Sequence, residues 1–168
     1  SLKSIELIGK SLAKAVADGS DKDARADVAL ANTLSGFVES MSSCTSEHSI
    51  EHALSAYHPK LTHGAGLIMI SLEYYKMFTE ACADKMIDMA RALGKKDAAK
   101  PEDFVEALRE LQAACKVDDL KMSDYGVDAQ DFGKYADNAR ANMGGLFGYD
   151  ARELTRDDVI GILARSYR

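Results

Sequence analysis

Every histidine of the chain falls within one stretch, HSIEHALSAYHPKLTHG, which holds His48, His52, His58 and His63 with Glu51 among them. His48 and His52 stand at i and i+4, so on a helix both rings project from one face about one turn apart. Two imidazoles so placed can converge on one small centre. His63, at the start of a neighbouring helix, would add a third neutral nitrogen donor of the kind that binds divalent iron, zinc or nickel. Imidazole also changes charge near neutrality, which suits proton transfer. The residue order excludes the HExxH helix of the zinc proteases, because Ser49 stands where that motif needs glutamate and Glu51 projects about 100° away from His52. Three imidazoles fall short of the four ligands such a metal usually takes, and no acidic residue has a spacing that marks it as the missing one. The competing reading is a non-catalytic helical interaction domain whose histidines line an acidic surface. The two readings part on one observation: a metal site needs His48, His52 and His63 to face one cavity.

The elements that must position these side chains read as helices. Apolar residues recur at helical intervals and only Pro59 and Pro101 interrupt the chain, so the fold class is all-α. Ile5, Ile8, Leu12 and Val16 mark a first helix, with Gly19 expected as its left-handed stop and Ser20 as the cap of a long second helix through Met41. The third helix, carrying His48 and His52, should start near Ser46 or Glu47 with Ser46 as its cap, and end before Pro59. The run from Ala65 to Leu72 is apolar nearly all round and reads as a central helix. Gly64 and Gly66 bracket Ala65 and remove side chains where backbone or a ligand can approach closely. Tyr74, Tyr75, Met77, Phe78, Met86 and Met89 continue at helical spacing to Gly94 as a core stripe. After a polar linker from Lys95 to Lys100, helices are expected after Pro101, from about Ala129 to Asn142, and from about Arg156 to Tyr167 with Thr155 as cap. Gly144-Gly145-Leu146-Phe147-Gly148 follows a helix, and a helix-ending turn explains it better than a phosphate loop.

The chain of 168 residues is 46% hydrophobic, enough for one compact domain with a sizeable core, residues 1–168. Its net charge of −6, from 27 acidic and 21 basic side chains without a block of like charge, argues against a nucleic-acid partner. His58, Lys60, His63 and Pro59 break the longest apolar run, so no membrane span is expected. No signal peptide is read at the start. Three scattered cysteines, Cys44, Cys82 and Cys115, suit reduced thiols in a cytoplasmic protein better than a disulfide framework.

The run SEHSIEHALSAYHPKLTHGAGLIMIS, Ser46 to Ser71, resembles the second signature of the iron-containing alcohol dehydrogenases. The flanks agree in order: IELIGKSLAKAVADGS resembles the helix before that signature, and GGLFGYDARELTRDDVIGILARSYR the closing helix. The resemblance implies the all-helical C-terminal domain of an enzyme whose α/β N-terminal domain binds NAD(P), a plan shared with the dehydroquinate synthase-like fold. It implies Fe2+ as the metal, with Zn2+ as the alternative, held by His48 and His63, and a second-sphere role for His52 in relaying the alcohol proton. It also implies that the remaining ligands, an Asp and a His, lie upstream of Ser1 in the nucleotide-binding half. Ser1 opens the chain without an initiator methionine, which fits a piece of a longer polypeptide.

The full-length enzyme would then transfer a hydride between a small alcohol or aldehyde and NAD(P), with a homo-oligomer allowed, and the helical domain alone would be inactive. A zinc-dependent polyol dehydrogenase relative is the nearest enzymatic rival. One departure concerns the loop through Tyr57, His58, Pro59 and Lys60, which is a residue longer than in many members. His58 is expected there as a loop residue, outside the helix because of Pro59.

Overall fold

In the computed structural model, which describes all 168 residues, eight α-helices and three short 3-10 turns account for the regular structure and no strand forms. The helices are α1 (Leu2–Ala17), α2 (Lys22–Met41), α3 (Ser46–Tyr57), α4 (His63–Lys76), α5 (Ala83–Ala92), α6 (Glu102–Ala114), α7 (Phe132–Met143) and α8 (Arg156–Ser166). Length predicts one core, whereas the helices group into two compact units, each with its own. No helix is long and apolar enough to cross a membrane.

The first unit, residues 1–43 and 79–118, contains α1, α2, α5 and α6. Leu7, Ala24, Ala31, Met86, Ala90 and Phe104 are buried in it. Ser4 anchors α1 to α2, its hydroxyl donating to the Ala31 carbonyl at 2.8 Å. Gly9 is where α1 meets the end of α5, because a Cβ there would lie 2.5 Å from the Leu93 carbonyl oxygen and 2.8 Å from two further Leu93 backbone atoms. Backbone cannot yield as a side-chain tip can. Gly9→Ala is therefore expected to destabilise the fold by about 2 kcal/mol through overpacking, despite alanine's advantage of about 1 kcal/mol in a helix. An unchanged or higher denaturation midpoint would mean that propensity outweighs the clash.

Local chemistry departs from expectation at the α1–α2 turn. Gly19 is not left-handed, since Gly94 and Gly126 are the glycines with positive φ. Asp18 ends α1 in an extended conformation instead, and its carboxylate accepts from the Ser20 amide at 2.9 Å and the Ser20 hydroxyl at 2.7 Å. Ser20 is thereby occupied, and Asp21 caps α2 by accepting from the Ala24 amide at 2.9 Å.

The second unit, residues 44–78 and 119–168, contains α3, α4, α7 and α8. Its core includes Ile50, Leu54, Ile70, Tyr74, Tyr135, Ile162 and Leu163, all nearly or wholly inaccessible. The apolar run at Ala65–Leu72 lies within α4, as its all-round hydrophobicity predicts. The aromatic and methionine stripe is not one helix, because α4 ends at Lys76 and α5 begins at Ala83. Arg152 receives the chain at that break, its Nε donating to the Met77 carbonyl at 2.9 Å. Thr155 caps α8 as expected, in a reciprocal box with Asp158.

Candidate metal centre

Polar ties at both ends of its first two turns hold α3 in place. Ser46 is not the cap; Thr45 occupies that position, and the Ser46 hydroxyl lies 3.3 Å from that of Tyr74. The Asp150 carboxylate accepts from the Ser46 amide at 3.0 Å and from the Tyr74 hydroxyl at 2.9 Å, joining the start of α3 to α4 and to the segment after α7. Burial pushes the Tyr74 phenol well above its usual range, so it stays a donor. Ser49 donates to the Met143 carbonyl at 2.9 Å and ties α3 to the end of α7. Glu47 lies on the buried side of α3, and desolvation raises its carboxyl to about 8, helped by the nearby Asp150 charge and opposed by a hydrogen bond with Tyr75.

The adjoining face of α3, about 100° round the helix, carries His48 and His52, and His63 is the first residue of α4. The His63 ring sits between the other two, 5.1 Å centroid to centroid from His48 and 5.1 Å from His52. One ring nitrogen from each of the three histidines lies within 4.8 Å of the others. Two nitrogens on one tetrahedral ion, each about 2.1 Å from it, stand about 3.4 Å apart. Side-chain rotation that brings the nitrogens about 1.4 Å closer therefore closes a pair onto an ion. Only His52 also opens onto a cleft of about 330 Å³ between α3 and α7, where Ser49, Asn138, Asn142 and Met143 line the wall.

His58 stands apart. It follows the last turn of α3, where its Nε2 shares a 2.8 Å hydrogen bond with the Tyr135 hydroxyl and its ring packs against the Tyr135 ring. Pro59 keeps it off the helix, and a core tyrosine occupies one of its two ring nitrogens.

Sequence reasoning missed Glu51. The 100° offset from His52 turns its carboxylate into the α3–α4 contact, fully buried, where Oε2 is hydrogen-bonded to Nδ1 of His63. The glycine pair held the signal without its meaning. A Cβ at Gly64 would meet nothing, whereas one at Gly66 would lie 2.6 Å from Glu51 Cγ and 2.7 Å from Oε1. Gly66 thus admits the glutamate, and no ligand or backbone needs to approach there.

Three convergent imidazoles, one with a carboxylate behind it, form a donor set suited to Fe2+ or Zn2+. Residues 1–167 match the model of the Fe-containing alcohol dehydrogenase family, C-terminal region. The chain belongs to the iron-containing alcohol dehydrogenase family. It is similar to alcohol dehydrogenase 4 of Saccharomyces cerevisiae, 26% identical over 168 residues, covering 99% of this chain and 43% of that protein. Among solved structures, the C-terminal helices of an archaeal halo-thermophilic alcohol dehydrogenase from a Red Sea brine pool superpose with a TM-score of 0.91 at 26% identity, covering 98% of this chain and 43% of that one. A 1,3-propanediol oxidoreductase shares the fold, with a TM-score of 0.90 at 22% identity over 99% of this chain and 44% of that one. The chain thus spans less than half the length of the iron-containing dehydrogenases it matches, corresponding to their helical C-terminal part.

Proposed function

We propose that this chain forms the helical, metal-binding part of an NAD(P)-linked alcohol dehydrogenase, completed by an N-terminal nucleotide-binding domain that brings the other metal ligands. The convergence of His48, His52 and His63 within 4.8 Å carries the reading. His48 and His63 hold the metal, Fe2+ on family grounds with Zn2+ as the alternative, since imidazole serves both. Once bound, the ion supplies Lewis acidity at the alcohol or aldehyde oxygen. His52 takes up and releases the alcohol proton, because it alone of the three lines the α3–α7 cleft. Asn138 and Asn142 give that cleft polar walls suited to a small alcohol or aldehyde. The hydride itself belongs to the nicotinamide. The domain alone is inactive, since nothing in it orients a nucleotide. Three cysteines outside any disulfide, Cys44, Cys82 and Cys115, favour a cytoplasmic setting.

The test is metal analysis of the complete polypeptide with an assay of alcohol-dependent NAD(P) reduction. About one iron or zinc per chain is expected, with activity lost to a chelator and restored by the ion. A fully active, metal-free protein would sink the proposal, as would a metal-loaded one that reduces neither nucleotide with any alcohol.

A further inference from the structure

We propose that Glu51 is a positioning residue for the metal site: it holds the proton of His63 on Nδ1 and so presents the Nε2 lone pair to the ion. The inference rests on the reading of His63 as a ligand. A carboxylate only accepts hydrogen bonds, so the bond between Glu51 Oε2 and His63 Nδ1 places the donor hydrogen on that nitrogen. The ring's other nitrogen, Nε2, is then the one left to face an ion. Such a carboxylate also fixes ring orientation and makes the ligand more basic.

Two further observations argue that this contact is more than local packing. The carboxylate is completely buried and its second oxygen, Oε1, is buried without a hydrogen-bond partner. Leaving a carboxylate in apolar surroundings with half its acceptors unmet is costly. A cation bound across the imidazole supplies a compensating positive charge. Gly66 is the second: α4 lacks a side chain at a position where even a methyl group would strike the Glu51 side chain.

The experiment uses the complete polypeptide labelled with 15N-histidine, with the His63 signals assigned from a His63→Gln variant. Long-range 1H–15N spectra of the metal-free protein are expected to show His63 as the Nδ1–H tautomer, and Glu51→Ala to shift it toward Nε2–H. Co2+ and Zn2+ competition titrations should show affinity falling about 10- to 100-fold in Glu51→Ala. Glu51→Gln, which retains a carbonyl acceptor, should recover part of it. Gly66→Ala should reproduce the Glu51→Ala loss by displacing the carboxylate, which keeps the test open if Glu51→Ala folds poorly. An Nε2–H His63 in the parent protein, or unchanged metal affinity in folded Glu51→Ala and Gly66→Ala, overturns the proposal while leaving the metal site standing. A parent protein that binds neither Co2+ nor Zn2+ removes the site itself, and this role with it.

Discussion

Replacing His63 with alanine is expected to lower kcat/KM of the complete enzyme about 1,000-fold and to empty the metal site, whereas replacing His52 should slow turnover with the metal retained. The first magnitude follows from losing a Lewis acid worth several kcal/mol in the transition state, at about 1.4 kcal/mol per factor of ten. His48→Ala should match it. For a proton carrier the loss is about 100- to 10,000-fold, so rate alone does not separate the roles. Metal content does. One ring nitrogen from each histidine lies within 4.8 Å of the others, so the outcome tests the division of labour directly. Equal loss of metal in His52→Ala would make it a ligand, and His48 or His63 variants that keep the ion and the rate would end the assignment.

The second large effect concerns Glu47. Burial raises its carboxyl from the ordinary 4.5 to about 8, so the folded protein binds a proton that the unfolded chain has released across that interval. Its contribution to stability is greatest below about pH 4.5, declines as pH rises toward 8 and is flat beyond, at about 1.4 kcal/mol per unit of displacement. The total reaches several kcal/mol. Glu47→Gln supplies a neutral side chain of the same shape, which needs no proton. Urea unfolding at pH 5 and pH 8 should therefore show a steep difference in the parent and a much smaller one in the variant. Parallel lines would mean that Glu47 is already ionised in the fold, its charge met by Tyr75 and its surroundings.

Much of this was legible in the sequence, and the failures have physical causes. Helical spacing located the elements because an amphipathic face is a local pattern. HxxxH placed two rings on one face through helix geometry, and Thr155 named its own cap. Glu51 escaped because its partner lies on another helix: the 100° that turns it from His52 aims it at α4, and only packing supplies His63 and Gly66 there. The break after Lys76 has no local stop signal, and it is met by Arg152, far along the chain, which binds the Met77 carbonyl. Ser20 lost its role to two neighbouring aspartates offering stronger acceptors, Asp18 occupying it and Asp21 capping in its place.

The notch at Gly66 has a consequence for how the sequence can drift. While a carboxylate stands at 51, any side chain at 66 collides with it, so position 66 is frozen by a neighbour on another helix. Once 51 shrinks, 66 is released, and alanine there would stiffen α4 and fill the void left behind. Substitution at 66 is therefore expected to follow substitution at 51, and a lineage leaves the pairing through 51 first.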